Sequence, residues 1–399
     1  MDILSLIDRE TPLFAEDIEA NANKIKQIVQ SSRFLVLGGA GTIGQAVTKE
    51  IFKRNPGKLH VVDLSENNLA ELVRDLRSSH GYIDGEFKTF ALDIAGEEFD
   101  AFFDWDGEYD YILNLSAMKH VRSEKDPFTL MRMIRTNIEL TLKTIELCKT
   151  KKIKKYFCVS TDKAASPVNL MGASKLIMEM CLMRESGFLD ISTARFANVA
   201  FSDGSLLHSF HQRFQKQQPI VAPQDVERYF VTPQESGELC LMSCLFGSNR
   251  DIYFPKLQQA LHLVRFPEIA KRFLASRGFN AVECESEAEA RASVKSLSIK
   301  GEWPCYFSSS DTTGEKAFEV FFTEEETLDL DGYKNIGVIK KPILSSTQDS
   351  NRNLDTFLTE VKELRESKSW SKQALVDLFS FVLPEFSHEE VGKSLDEKM

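Results

Sequence analysis

Long apolar runs are missing from this 399-residue chain. None approaches the ~20 consecutive apolar residues needed to cross a bilayer, so membrane insertion is not expected. The start, Met1-Asp2-Ile3-Leu4-Ser5, has no basic segment followed by an apolar stretch, so no signal peptide is expected. Positive charge is in deficit: 49 Lys and Arg face 60 Asp and Glu, a net charge of -11. That disfavours nonspecific binding to nucleic acid or to a membrane surface, while leaving room for a local basic pocket. No Cys-x-x-Cys pair occurs among the seven cysteines, Cys148, Cys158, Cys181, Cys240, Cys244, Cys284 and Cys305. Cys240 and Cys244 lie one helical turn apart without nearby His or Cys partners, so they read as buried helix residues rather than metal ligands. His208 and His211 are likewise one turn apart without a third ligand and read as structural; no metal is expected. An odd number of free thiols suits a reducing, cytoplasmic setting. No internal repeat is present. The remaining composition, 42% hydrophobic and 27% charged, is that of a globular protein with one large or two smaller domains.

From Phe34 onward short apolar runs alternate with helical patterns. Strands are predicted at Phe34–Leu37, Leu59–Asp63, Phe87–Leu92, Tyr111–Asn114, Lys155–Val159 and Ile191–Arg195. Helices are predicted over Ile43–Arg54, Asn67–Ser78, about Asp126–Thr150 and Leu170–Arg184. This βαβ alternation implies a doubly wound parallel α/β sheet of the Rossmann kind. The expected organisation is a helical extension over 1–32, serving as a packing or dimer-contact arm, and a nucleotide-binding domain over 33–200. A smaller substrate-binding portion over 201–260, a further α/β region over 261–345 and a helical tail over 346–399 follow. Within the last third, helices are expected over Glu268–Arg277, Glu285–Lys295 and Gly314–Phe322. Short strands are expected at Ala281–Cys284, Tyr306–Phe307 and Ile336–Ile339, and fraying over 387–399.

The first strand runs into Gly38-Gly39-Ala40-Gly41-Thr42-Ile43-Gly44, which opens a helix. Glycine at 38, 41 and 44 gives a tight turn, close backbone approach to a pyrophosphate and close helix–sheet packing, with Thr42 and Ile43 in the first helical turn. Asp63 ends the second strand 19 residues after Gly44 (63 − 44). A carboxylate there accepts both adenosine ribose hydroxyls and repels a 2′-phosphate, which favours NAD over NADP; the competing reading is a cap for the helix that follows. Asp93 and Ile94 close the third strand, where such folds meet adenine. Ser116 and Ala117 close the fourth and let the backbone approach the cofactor.

Several motifs occur in order: Ala117-Met118-Lys119-His120-Val121, Thr136-Asn137, Ser160-Thr161-Asp162-Lys163-Ala164, Pro167 to Lys175, Arg195-Phe196-Ala197-Asn198-Val199 and Arg228-Tyr229-Phe230-Val231-Thr232. With the glycine turn, they resemble the extended short-chain dehydrogenase/reductases. Within that family, residues 33–260 are similar to the CapD-type polysaccharide-biosynthesis UDP-N-acetylglucosamine 4,6-dehydratases. The resemblance implies oxidation at sugar C4 by NAD, loss of water across C5 and C6, and return of hydride to C6. It implies Lys163 as the C5 base and Asp162 as the acid at C6. The usual Tyr-x-x-x-Lys is here Met171-x-x-x-Lys175, so the tyrosine that serves as redox base is absent. Family members with Met at this position are associated with retention at C5, those with Tyr with inversion. Thr161 then becomes the candidate to relay the C4 hydroxyl proton toward Lys175, which also binds the nicotinamide ribose. Asn198, Arg228, Lys119 and His120, with Met171, are the implied substrate contacts for a UDP-sugar. The resemblance also implies a homodimer or larger homo-oligomer through a four-helix contact of the helices near 127–150 and 170–186. Two other readings compete. A 4-epimerase of the same fold would keep the tyrosine and have no need of Asp162-Lys163. An inactive NAD-binding regulator would have no reason to retain that pair.

Overall fold

The strands of the centre are apolar on both faces, as a sheet covered by helices on each side requires. The computed structural model describes residues 2–257, 263–310, 320–340, 348–386 and 388. In chain order, α1 (Ile3–Leu6) and α2 (Ala15–Gln30) lead into β1 (Arg33–Leu37). Then come α3 (Thr42–Phe52), β2 (Lys58–Asp63), α4 (Glu66–His80), β3 (Glu86–Ala91), α5 (Glu97–Asp106) and β4 (Tyr111–Asn114). After these, α6 (Pro127–Ile134) and α7 (Leu140–Lys149) flank a π turn, and β5 (Lys155–Val159), α8 (Leu170–Glu185) and β6 (Ile191–Ala194) complete the alternation.

The second half continues with β7 (Asn198–Val199), α9 (Leu206–Gln215), β8 (Ile220–Pro223), β9 (Glu227–Val231), α10 (Pro233–Phe246) and β10 (Asp251–Pro255). It proceeds through β11 (Leu263–Arg265), α11 (Phe266–Ala275), β12 (Asn280–Glu283), α12 (Glu287–Ser298) and β13 (Glu302–Ser308). It closes with β14 (Thr327–Asp329), β15 (Ile336–Lys340), α13 (Gln348–Ser367) and α14 (Lys372–Val382).

Nine strands form the main sheet in the order β14-β15-β10-β6-β5-β4-β1-β2-β3. From β3 to β10 all neighbours are parallel, and β15 and β14 add an antiparallel edge. The doubly wound parallel sheet expected from the sequence is therefore present. Its chain order reverses beside β1, so the carboxyl ends of β1 and β4 open a crevice, the usual place for a ligand in such sheets. Two small sheets, β11-β9-β7 and β12-β13-β8, stand beside it. Residues 336–340, expected among the C-terminal elements, pair along β10 and widen the main sheet. The sequence reading missed α5, whose buried Phe99, Phe102 and Phe103 fall at helical spacing within only ten residues. The helix expected over Gly314–Phe322 falls mostly outside the described residues, as does most of the fraying expected over 387–399.

The N-terminal arm is held by named contacts within its own chain. Arg9 forms a two-pronged pair with buried Glu235, at 2.8 and 2.6 Å. Glu235 also accepts from Leu13 N at 2.6 Å while closing a capping box with Thr232 at the start of α10. Asp17 accepts from the backbone of Lys334 and Asn335, tying α2 to the turn before β15. Among the described residues no helix is long and apolar enough to cross a membrane.

Glu238, on α10, is a buried acid, and burial pushes its carboxyl up to about 7. A carboxyl raised in the folded state contributes stability that declines as pH rises from about 4.5 toward about 7, and it stays lost above. Glu238→Gln should therefore match the parent near pH ~5 and exceed it near pH ~8 by about 1–3 kcal/mol in urea unfolding. An equal difference at both pH values would contradict this.

Candidate active site

Strand β1 ends in the glycine turn, and Gly38 holds φ +69°, in the left-handed region that glycine tolerates. A Cβ on Gly38 would meet Ser116 N at 2.7 Å, and one on Gly44 would meet Gly38 O at 2.2 Å. The turn, the end of β4 and the first turn of α3 thus pack at distances that only glycine permits. Gly41 precedes α3 without a side-chain cap, so the first N–H groups of that helix face the crevice.

Asp63 accepts from Ala40 N and from Ser65 N, each at 2.9 Å. Ser65 itself caps α4. Asp63 therefore braces the glycine turn as well as standing at the end of β2. Asp93 accepts from Ala95 N at 2.8 Å, and buried Ile94 receives Lys143 Nζ on its carbonyl at 2.9 Å. These two residues follow β3, beyond Asp63 along the sheet.

A cleft of about 980 Å³ opens over the carboxyl ends of the strands. It collects Gly38, Gly41, Thr42, Ile43, Gly44, Ala117, Lys119, His120, Thr161, Asp162, Lys163, Met171, Lys175, Asn198 and Arg228 from the sequence reading. Asp63, Asp93, Ile94 and Ser116 are not in its lining; the first three lie at the ends of β2 and β3, and Ser116 follows β4 between Leu115 and Ala117, which do line it.

At the end of β5, buried Asp162 is the hub of a short hydrogen-bonded set. Its Oδ1 accepts from Thr161 Oγ1 at 2.9 Å, from Lys163 N at 2.8 Å and from Lys163 Nζ at 3.1 Å. Its own N–H donates to Phe196 O at 3.1 Å, which fixes the set to the chain leaving β6. Across from it, α8 brings Met171 and Lys175. Asn169 caps this helix, accepting from Gly172 N at 2.8 Å, and buried Glu124 accepts from Leu170 N at 2.7 Å. A Cβ on Gly172 would meet Lys163 O at 2.6 Å, so glycine there lets the helix start close against the Asp162-Lys163 segment. Lys175 Nζ donates to Val159 O at 3.0 Å. Burial pushes its ammonium below the usual lysine range, against the opposing pull of Cys158 and Glu179.

Behind these residues lies a group the sequence reading did not assign to the site. Ser160 Oγ donates to Glu179 at 2.6 Å, and Arg195 bridges Glu179 (2.8 and 3.0 Å) to Glu326 (2.9 and 3.0 Å). Burial works against the Arg195 charge, but the two glutamates outweigh it and raise the guanidinium above its usual range. Glu179 lies one helical turn after Lys175, a spacing that could have flagged it; nothing in the sequence links Glu326 to Arg195.

The far wall is basic. Arg228 is buried on β9 and donates to Glu227 O at 2.9 Å. Asn198 Nδ2 reaches Tyr229 O at 3.5 Å. Although both side chains keep solvent exposure, desolvation beside the cleft wall lowers the Lys119 ammonium, and it lowers His120 with help from Lys119 and Arg122. The His120 ring lies over Gly204, where a Cβ would come within 2.8 Å of Nε2. Arg122, Lys125 and Arg213, not singled out from the sequence, also line the cleft. Such a wall suits a substrate with clustered negative charge.

Comparison with known proteins bears on the family and the fold. The family described as "Polysaccharide biosynthesis protein" matches residues 34–341. An uncharacterised membrane protein, MJ1061 of Methanocaldococcus jannaschii, is 28% identical over 79% of this chain and 87% of that protein. The capsular polysaccharide biosynthesis protein CapD of Staphylococcus aureus is 25% identical over 69% of this chain, which spans only 46% of CapD. An inverting UDP-N-acetylglucosamine 4,6-dehydratase of Campylobacter jejuni is 26% identical over 56% of this chain and 66% of the enzyme. A UDP-glucose 4-epimerase of Rickettsia typhi is 25% identical over 83% of this chain. Among solved structures, Pen from Bacillus thuringiensis superposes with a TM-score of 0.64 at 21% identity, over 79% of this chain and 89% of that one. At that identity the likeness speaks for the fold. With a family match over most of its length, on a doubly wound parallel sheet, the chain belongs to the polysaccharide biosynthesis protein family.

Proposed function

We propose that this chain is an NAD-dependent UDP-N-acetylglucosamine 4,6-dehydratase that makes a 4-keto-6-deoxy sugar for surface glycans, with retention at C5. The observation that carries the reading is the hydrogen-bonded Thr161-Asp162-Lys163 set in a cleft whose tyrosine position holds Met171. The glycine turn and the open N-terminus of α3 fit a dinucleotide diphosphate, and Asp63 fits its adenosine ribose. When bound, NAD supplies hydride chemistry between C4 and C6.

The chain's own residues then handle protons. As a neutral amine, Lys163 removes the C5 proton made acidic by the C4 ketone. Asp162, protonated, gives its proton to the departing C6 hydroxyl, which leaves as water. Both proton movements leave the charged pair, with Nζ 3.1 Å from Oδ1. Lys163 next returns a proton to C5.

Mass balance assigns the remaining proton. Product differs from substrate by one water, so the proton lost from the C4 hydroxyl must replace the one Asp162 gave away. Thr161 Oγ1, already donating to Asp162 Oδ1 at 2.9 Å, is the link by which it arrives. Lys175, whose ammonium burial disfavours, can hold that proton in the interval. A thioether at 171 takes no part in these transfers, which is why Met171 is compatible with activity. An epimerase has no use for an acid at C6, and nothing in the cleft favours that reading over dehydration.

The test is incubation of the protein with NAD and UDP-N-acetylglucosamine, followed by mass spectrometry. Loss of one water is expected; UDP-N-acetylgalactosamine would point to epimerisation, and an unchanged substrate to an inactive binder. Lys163→Ala should lower turnover by at least ~100-fold while NAD binding persists; turnover at the parent rate would remove Lys163 from the mechanism. Asp63→Ser should weaken NAD and shift the NAD/NADP affinity ratio toward NADP by about tenfold or more, corresponding to ~1.4 kcal/mol or more. Because Asp63 also braces the turn, the ratio is the readout, and a ratio equal to the parent's would contradict the assignment.

A further inference from the structure

Helix α8 has 13 of its 16 residues buried and none exposed. A helix enclosed all round has no face left for a partner. One side rests against the sheet. The other is covered by the C-terminal hairpin, in which Leu354, Phe357 and Val361 of α13 and Leu375, Phe379 and Val382 of α14 are buried. Their spacing of three and four residues makes one apolar stripe on each helix. These side chains share a core with Leu170, Ile177, Cys181 and Leu182 of α8 and Leu130 and Ile134 of α6.

The edges are fastened by polar contacts. Arg184 pairs with Asp355 at 2.7 Å, and Arg365 pairs with Glu139. Trp370 Nε1 donates to Pro127 O at 2.9 Å, and its ring meets Phe128 edge-on at 5.9 Å. The outward side of α13 is polar, with Arg352, Asp355, Glu360, Lys362 and Glu366 exposed. That surface is unlike the apolar centre of a stable homodimer contact.

We propose that the α13–α14 hairpin is a built-in cover that occupies the face of α6 and α8 for which the family resemblance implies a contact between two copies. The chain supplies its own third layer there and does not self-associate through these helices. The same cover backs the helix that carries Met171 and Lys175. Removing it would bare a contiguous apolar patch of the kind that drives association.

Light scattering with hydrogen exchange on the full chain tests this. The expected result is a particle of 45.3 kDa, or a larger assembly whose formation leaves exchange over 127–149 and 170–185 unchanged. Concentration-dependent protection confined to those two segments, including exchange of hairpins between copies, would overturn the proposal. The full-length Phe357→Asp/Phe379→Asp variant should associate and exchange faster over 170–185. Parent-like mass and exchange in that variant would likewise overturn it. Should that variant fail to fold, Arg365→Glu provides a milder lesion. It should speed exchange over 348–382, and Glu139→Arg combined with it should restore protection; absence of both effects would count against the cover.

Discussion

The bridge of Arg195 between Glu179 and Glu326 is the interaction on which the rest of the site depends. It joins four pieces of chain. Glu179 comes from α8, Arg195 from the end of β6, Glu326 from the segment before β14, and Ser160 from the end of β5 through its hydroxyl. All four groups are largely withdrawn from water, with Arg195 1% and Glu179 0% exposed. Buried charges of this kind persist only when their hydrogen bonds are satisfied, and losing one partner commonly costs about 3–5 kcal/mol. The bridge is weak evidence for extra stability. It is strong evidence for position, because each oxygen and nitrogen can be satisfied in few arrangements.

Position is what the chemistry requires. Ser160 immediately precedes Thr161, Asp162 and Lys163; Glu179 lies one turn beyond Lys175. Fixing Ser160 to Glu179 therefore sets the Thr161-Asp162-Lys163 segment against the helix that carries Met171 and Lys175. Gly172 lets that helix start against the Lys163 carbonyl, and Asn169 and Glu124 satisfy its first N–H groups. The hairpin on its outer side completes the enclosure. A helix so confined can present a lysine stripped of water, which is how burial comes to weaken the Lys175 ammonium.

Local signals carried much of this. Six of the seven parallel strands, and the helices between them other than α5, were legible because most of these strands are apolar runs and the helices keep their period; β10 was not. The glycine turn and the Thr161-Asp162-Lys163 and Met171 to Lys175 motifs were legible because each is contiguous and falls where a strand ends. What was not legible depends on contacts distant in sequence. Arg195 read as part of a motif, yet its second partner lies 131 residues away. Arg9 reaches Glu235 across 226 residues. The tail helices were expected, but amphipathic spacing says that a face is buried without saying against what. Asp63 shows the same limit at short range, since its bond to Ala40 N depends on how the turn folds back.

The central claim is that elimination runs through Asp162 and Lys163 without a tyrosine, and that Met171 marks the retaining course although the dehydratase among the relatives is named as inverting. Turnover of UDP-N-acetylglucosamine in heavy water, with the product read by proton NMR couplings, tests both parts at once. The account predicts deuterium at C5 and couplings of the parent gluco configuration. A product inverted at C5 would contradict retention, and a 4-keto-6-deoxy product with no deuterium at C5 would contradict an exchanging Lys163.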